Sequence, residues 1–113
     1  MAKDDYFVIV YKILAYLYQC LKDGEAAQEE ILRRDGPLCR INETYWLYIL
    51  EHLQGSGYIE GLTFTKAWGG LVIVSGFENC RITPEGIAYL TDNSMLQRVR
   101  KLLKEIKEIV PGV

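Results

Sequence analysis

The chain has 113 residues, half of them apolar, with only three prolines and a formal net charge of −2. That is enough apolar mass for one domain with its own core, and it excludes a disordered or strongly basic tail-like protein. Cys20, Cys39 and Cys80 lack Cys-x-x-Cys spacing and His52 is the one histidine, so a zinc centre and a disulfide framework are both unsupported. Three reduced thiols in a cytoplasmic protein are expected.

The first predicted helix runs over about 5–22 and stops before Asp23-Gly24. Tyr6, Ile9, Ile13, Leu17 and Cys20 share one face, and Phe7, Val10, Leu14, Tyr18 and Leu21 widen it beyond a simple amphipathic stripe. Such a face calls for more cover than two short helices give. The apolar segment Phe7 to Leu21 is shorter than a membrane span of roughly 20 residues, and Lys12 and Gln19 interrupt it. Asp4 and Asp5 ahead of it do not suit a signal peptide either, so no membrane association is expected.

A second helix is predicted over 25–34, ended by Asp35-Gly36-Pro37, with Arg33 and Arg34 placed to suit its dipole or to be solvated. A third is predicted over 42–54, capped by Asn42, with Trp46, Ile49, Leu50 and Leu53 turned into the core. Thr44, Tyr48 and Glu51 are then left on its outer side, flanked by Tyr45, Leu47 and His52.

Wing strands are predicted at about 58–64, 71–75 and 80–83, with a turn at Thr65 to Gly70. Trp68 in that turn is expected to fold back on the core, as large aromatics are mostly buried. A short helix over 84–90 follows, with Thr83 as cap, Pro84 in its first turn and Gly86 allowing another backbone to approach. A last helix over 94–110 opens on Ser94 and Gln97 at capping-box spacing. In it Leu96, Val99, Leu103, Ile106 and Val110 alternate spacings of three and four, broadened by Leu102 and Ile109. A homodimer seam through these residues, flanked by solvated Arg100, Lys101, Lys104 and Lys107, is the leading expectation. Burial of the seam within one chain and attachment to a membrane surface are the alternatives.

The order helix, helix, helix, hairpin, helix reads as α+β: a winged helix-turn-helix in a single domain over 1–113, with a long carboxy-terminal helix after the wing. Gly57-Tyr58-Ile59-Glu60-Gly61, the pattern Thr-x-x-Gly-x-x-Tyr-Leu from Thr83, Asn93-Ser94 and Leu102-Leu103-Lys104-Glu105-Ile106-Lys107 carry a further likeness. In these stretches the chain resembles the YjcQ-like winged-helix proteins of Gram-positive bacteria and their phages. The resemblance covers nearly the whole chain and is loosest at the second helix and the loop after it. It implies a winged helix with a DNA-binding role, and it brings no catalytic residues.

Duplex DNA is therefore the expected partner, with Arg40, Thr44 and Tyr48 at the major groove and Lys66 at the adjacent backbone. Charge weighs against a simple version of this. Residues 1–93 hold eight Lys and Arg against thirteen Asp and Glu, and residues 94–113 hold five against two. The third helix has neither lysine nor arginine, although phosphate neutralisation dominates DNA affinity. The alternative is a protein-interaction module using Tyr45, Leu47 and Tyr48, residue types enriched at or tolerated by interfaces. No nucleophile motif, metal pair or phosphate loop is visible, so a non-enzymatic, cofactor-free protein is expected.

Overall fold

Helix α1, Tyr6–Asp23, is the element around which the rest is arranged. The computed structural model describes residues 5–92 together with Gln97 and Lys101. The Asp5 carboxylate accepts from the Phe7 backbone N–H at 3.0 Å and starts α1. At the other end Gly24 takes a left-handed φ of 70°, and the N–H groups of Gly24 and Glu25 close on the Leu21 and Cys20 carbonyls. Val8, Ile9, Val10, Ile13, Leu14 and Leu17 are all buried, so α1 is covered on more than one side.

Helix α2 is shorter than the sequence predicts: Glu29–Leu32 in place of 25–34. Residues 25–28 are not helical, because the Gln28 backbone N–H donates to the Tyr16 hydroxyl at 2.9 Å and Ala27 is driven into the core. Tertiary anchoring overrides helix propensity here. The chain then doubles back, so a side chain at Gly36 would press on the Glu30 carbonyl. Arg33 and Arg34 thus lie in a loop rather than in a helix's last turn, and the dipole account of them does not apply.

Helix α3, Glu43–Gly55, starts where Asn42 Oδ1 accepts from the Tyr45 N–H at 2.8 Å. Ile49, Leu50 and Leu53 enter the core as the 3.6-residue period requires. Trp46 stops at its margin, with the indole N–H donating to the Leu32 carbonyl at 2.9 Å and the ring stacked on Phe77.

The β structure is two antiparallel pairs. β1, Ile59–Glu60, pairs with β4, Arg81–Ile82, in the register Ile59 to Ile82 and Glu60 to Arg81. β2, Thr63–Lys66, pairs with β3, Val72–Ser75. The single strand predicted at 58–64 is therefore broken. Gly61 takes a φ of 99°, its missing side chain making room for the Asn79 carbonyl. Gln54 clamps the break, its amide donating to the Leu62 carbonyl and accepting from the Leu62 N–H, at 2.8 and 2.9 Å.

Trp68 does not fold back on the core. It is 97% exposed in a short 3-10 turn, Trp68–Gly70, at the tip of the β2–β3 hairpin. The hairpin carries the indole beyond the reach of the core, so its size alone does not bury it. A second such turn, Phe77–Asn79, leads back to β4.

Helix α4, Pro84–Thr91, begins as predicted. Thr83 Oγ1 accepts from the Gly86 N–H at 3.0 Å and donates to the Gly57 carbonyl at 2.5 Å. At Gly86 any side chain would overlap the Tyr58 carbonyl, so α4 lies directly on the backbone leading into β1. α1 packs on α3, α4 and β4, and the core lies between them. The architecture is α+β, helices with two small antiparallel sheets. The helix predicted at 94–110 and its seam of Leu96, Val99, Leu102, Leu103, Ile106, Ile109 and Val110 lie outside the described residues, apart from Gln97 and Lys101, which are helical and exposed.

Candidate functional site

The outer side of α3 forms as the helical period dictates. Thr44, Tyr48, Glu51 and His52 are exposed, while Tyr45 and Leu47 are half-buried. Tyr48 is not a free rotor. Its ring stacks on His52 with centroids 4.1 Å apart and meets Tyr6 edge-on at 6.4 Å. His52 Nδ1 lies 2.9 Å from the Tyr48 carbonyl, so the tautomer protonated at Nδ1 donates to it. Tyr48 is 53% exposed, beside a shallow open hollow lined by Asn42, Thr44, Tyr45 and Tyr48 itself.

Behind this face stands an aromatic group. The Tyr6 phenol is held above its ordinary value by burial first, then by the nearby phenols of Tyr89, Tyr48, Tyr45 and Tyr58. Tyr58 and Tyr89 stack at 4.5 Å. These tyrosines come from α1, α3, α4 and the residue before β1, so no local spacing could have revealed them.

The candidate cations fall into separate places. Arg40 is exposed in the loop entering α3, together with exposed Arg33 and Arg34. Arg33 Nε lies 3.9 Å from Asp35, a loose pair with both side chains more than half exposed. Arg40 does not join Thr44 and Tyr48 in their hollow. It lines a neighbouring one with Lys12 and Asp35. Lys66 is exposed at the end of β2, opposite Val72, and lines neither. The hairpin beside it shows an apolar tip, with Leu71 and Ile73 both more than half exposed next to Trp68.

Charge is thus uneven. Residues 5–92 carry seven Lys and Arg against twelve Asp and Glu, and three of the seven sit in the ten residues 33–42. α3 itself contributes exposed Glu43 and Glu51. Positive charge is gathered at the amino-terminal end of α3 and absent along its length.

The thiols offer little chemistry. Cys20, Cys39 and Cys80 are free, and burial, then the neighbouring Cys20, pushes Cys80 up to about 12. Among the described residues no three His, Cys, Asp or Glu side chains are grouped to hold a metal, and no helix is long and apolar enough to cross a membrane.

The YjcQ protein family matches the chain over residues 11–109, from within α1 to beyond α4. No curated protein and no solved structure matches it.

Proposed function

The chain belongs to the YjcQ protein family, and we propose that it is a winged helix that binds duplex DNA as a non-enzymatic regulator of phage or bacterial type. The observation that carries this reading is the amino-terminal end of α3. There exposed Thr44 follows a loop bearing exposed Arg33, Arg34 and Arg40. In helix-turn-helix docking the first residues of the recognition helix meet base edges, and the preceding segment crosses the backbone. Three arginines against Asp35 and Glu43 at this end, with Glu51 toward the other, favour a helix entering the groove by its tip. Thr44 and Tyr48 then face the bases, Arg40 the flanking phosphate, and Lys66 on the wing the adjacent backbone. A homodimer through the segment 94–110 would present two such ends, and a cytoplasmic setting without cofactor completes the proposal.

The test is retention on mixed fragments of the source genome across a salt series. The double variant Arg40→Ala/Lys66→Ala should bind more weakly, with the salt slope reduced by about two, roughly one per lost phosphate contact. An unchanged slope rejects these contacts.

One observation favours a second reading, a winged helix used to bind another protein. The outer side of α3 offers a pre-ordered tyrosine beside Tyr45 and Leu47, with two glutamates and no cation. Ordered aromatics of this kind are common interface anchors. Failure to retain any DNA at low salt would reject the DNA reading and leave this one.

A further inference from the structure

Lys12 is the sole charged residue between Tyr6 and Leu21, in a helix otherwise given to the core. It is half-buried and lines an open hollow shared with residues 35–40, Arg40 among them. The volume, about 460 Å³, lies within the roughly 300–1,000 Å³ of ordinary small-molecule sites. One carboxylate, Asp35, also lines it, loosely paired with Arg33 at 3.9 Å, so the two cations outnumber it. Among the described residues neither Lys12 nor Arg40 forms an ion pair. Two cations therefore line one hollow, which gathers positive potential there.

We propose that this hollow between α1 and the loop before α3 binds a phosphate group, held by Lys12 and Arg40. Arg40 supplies a fork of donors that matches phosphate oxygens, and Lys12 a point charge from beneath. Leu38 and Pro37 give an apolar wall for whatever the phosphate carries. The loop's course is fixed, since Gly36 has no room for a side chain and the Ile41 N–H donates to the Arg34 carbonyl at 2.9 Å. It runs on into Asn42, the cap of α3, so an occupant would brace the entry to that helix. The phosphate has two available sources: the DNA backbone, in which case the inference rests on the DNA reading, or a free phosphoester.

The experiment is a titration of the ¹⁵N-labelled full chain with inorganic phosphate, against sodium chloride at equal ionic strength, for wild type, Lys12→Gln, Lys12→Arg and Arg40→Gln. Saturable amide shifts confined to residues 35–40 and the middle of α1 are expected with phosphate. Affinity should fall at least tenfold in Lys12→Gln and Arg40→Gln and largely return in Lys12→Arg. Equal shifts with chloride, or a Lys12→Gln protein that still shows its native spectrum and binds phosphate as wild type does, overturn the proposal. Fragment retention by the same variants separates the sources. A salt slope lowered by about one in Lys12→Gln assigns the site to backbone phosphate. Saturable phosphate binding without that change assigns it to a free phosphoester, and the site then stands even if DNA is not bound at all. DNA retention untouched by Lys12→Gln, with no phosphate response, rejects the site and leaves the DNA reading intact.

Discussion

Replacing Gly86 with alanine places a methyl group where the Tyr58 carbonyl already lies. That carbonyl cannot simply swing away, because it accepts from the Thr83 N–H at 3.1 Å, and Thr83 in turn caps α4 and bonds Gly57. Relief requires α4 to lift off the residue before β1, disturbing the β1–β4 pair. Overpacking of this kind costs about 1–3 kcal/mol. Loss of the Tyr58–Thr83 hydrogen bond adds about 1 kcal/mol, and the better helix propensity of alanine returns about 1 kcal/mol. The net expectation is a loss of about 1–3 kcal/mol, read by urea denaturation with circular dichroism. The melting temperature should fall by about 4–12 °C for a chain of this size. Gly55→Ala is the control, since it lies in α3 with nothing near its added methyl and should be neutral or stabilising by up to about 1 kcal/mol. Equal effects of the two substitutions would refute the close-approach account of Gly86.

Gln54→Ala removes both hydrogen bonds to the buried Leu62 backbone and should destabilise by about 1–3 kcal/mol, with amide exchange fastest at 60–63. Protection of the Leu62 amide as in wild type would show that the clamp is dispensable. Folding also keeps a proton on Cys80 that the unfolded chain loses near its ordinary value of about 8.5, because the folded thiol is pushed up to about 12. This group's contribution is therefore complete below that pH and is lost as pH rises toward the folded value. Tyr6 and Tyr16, also raised chiefly by burial, act in the same direction. Cys80→Ala should accordingly flatten, without abolishing, the fall in melting temperature above about pH 8.5. An alkaline limb of unchanged steepness would remove Cys80 from the account.

Where the sequence was legible, the decisive interactions were local. Asn42 and Thr83 each cap a helix within three residues, and Ile49, Leu50 and Leu53 follow from helical period alone; Asp5, expected inside α1, instead caps it. The exposed positions of Thr44, Tyr48 and Glu51 on α3 follow from the same period. Illegible features depended on partners distant in the chain. α2 is cut back by Tyr16, twelve residues from Gln28, and the predicted strand at 58–64 is broken because the Asn79 carbonyl occupies the space beside Gly61. Trp68 was misplaced because size argues for burial only when a core lies within reach.

The amino-acid sequence by itself determined the helices α1, α3 and α4, the caps of α3 and α4 and the inward faces of α1 and α3, since each rests on backbone donors and side chains within a turn or two. The tertiary structure alone decided that four other tyrosines gather near Tyr6, that Trp68 stands in solvent, and that Lys12 and Arg40 share one hollow. These are juxtapositions of residues from separate elements, and only the packed core sets the distances between them.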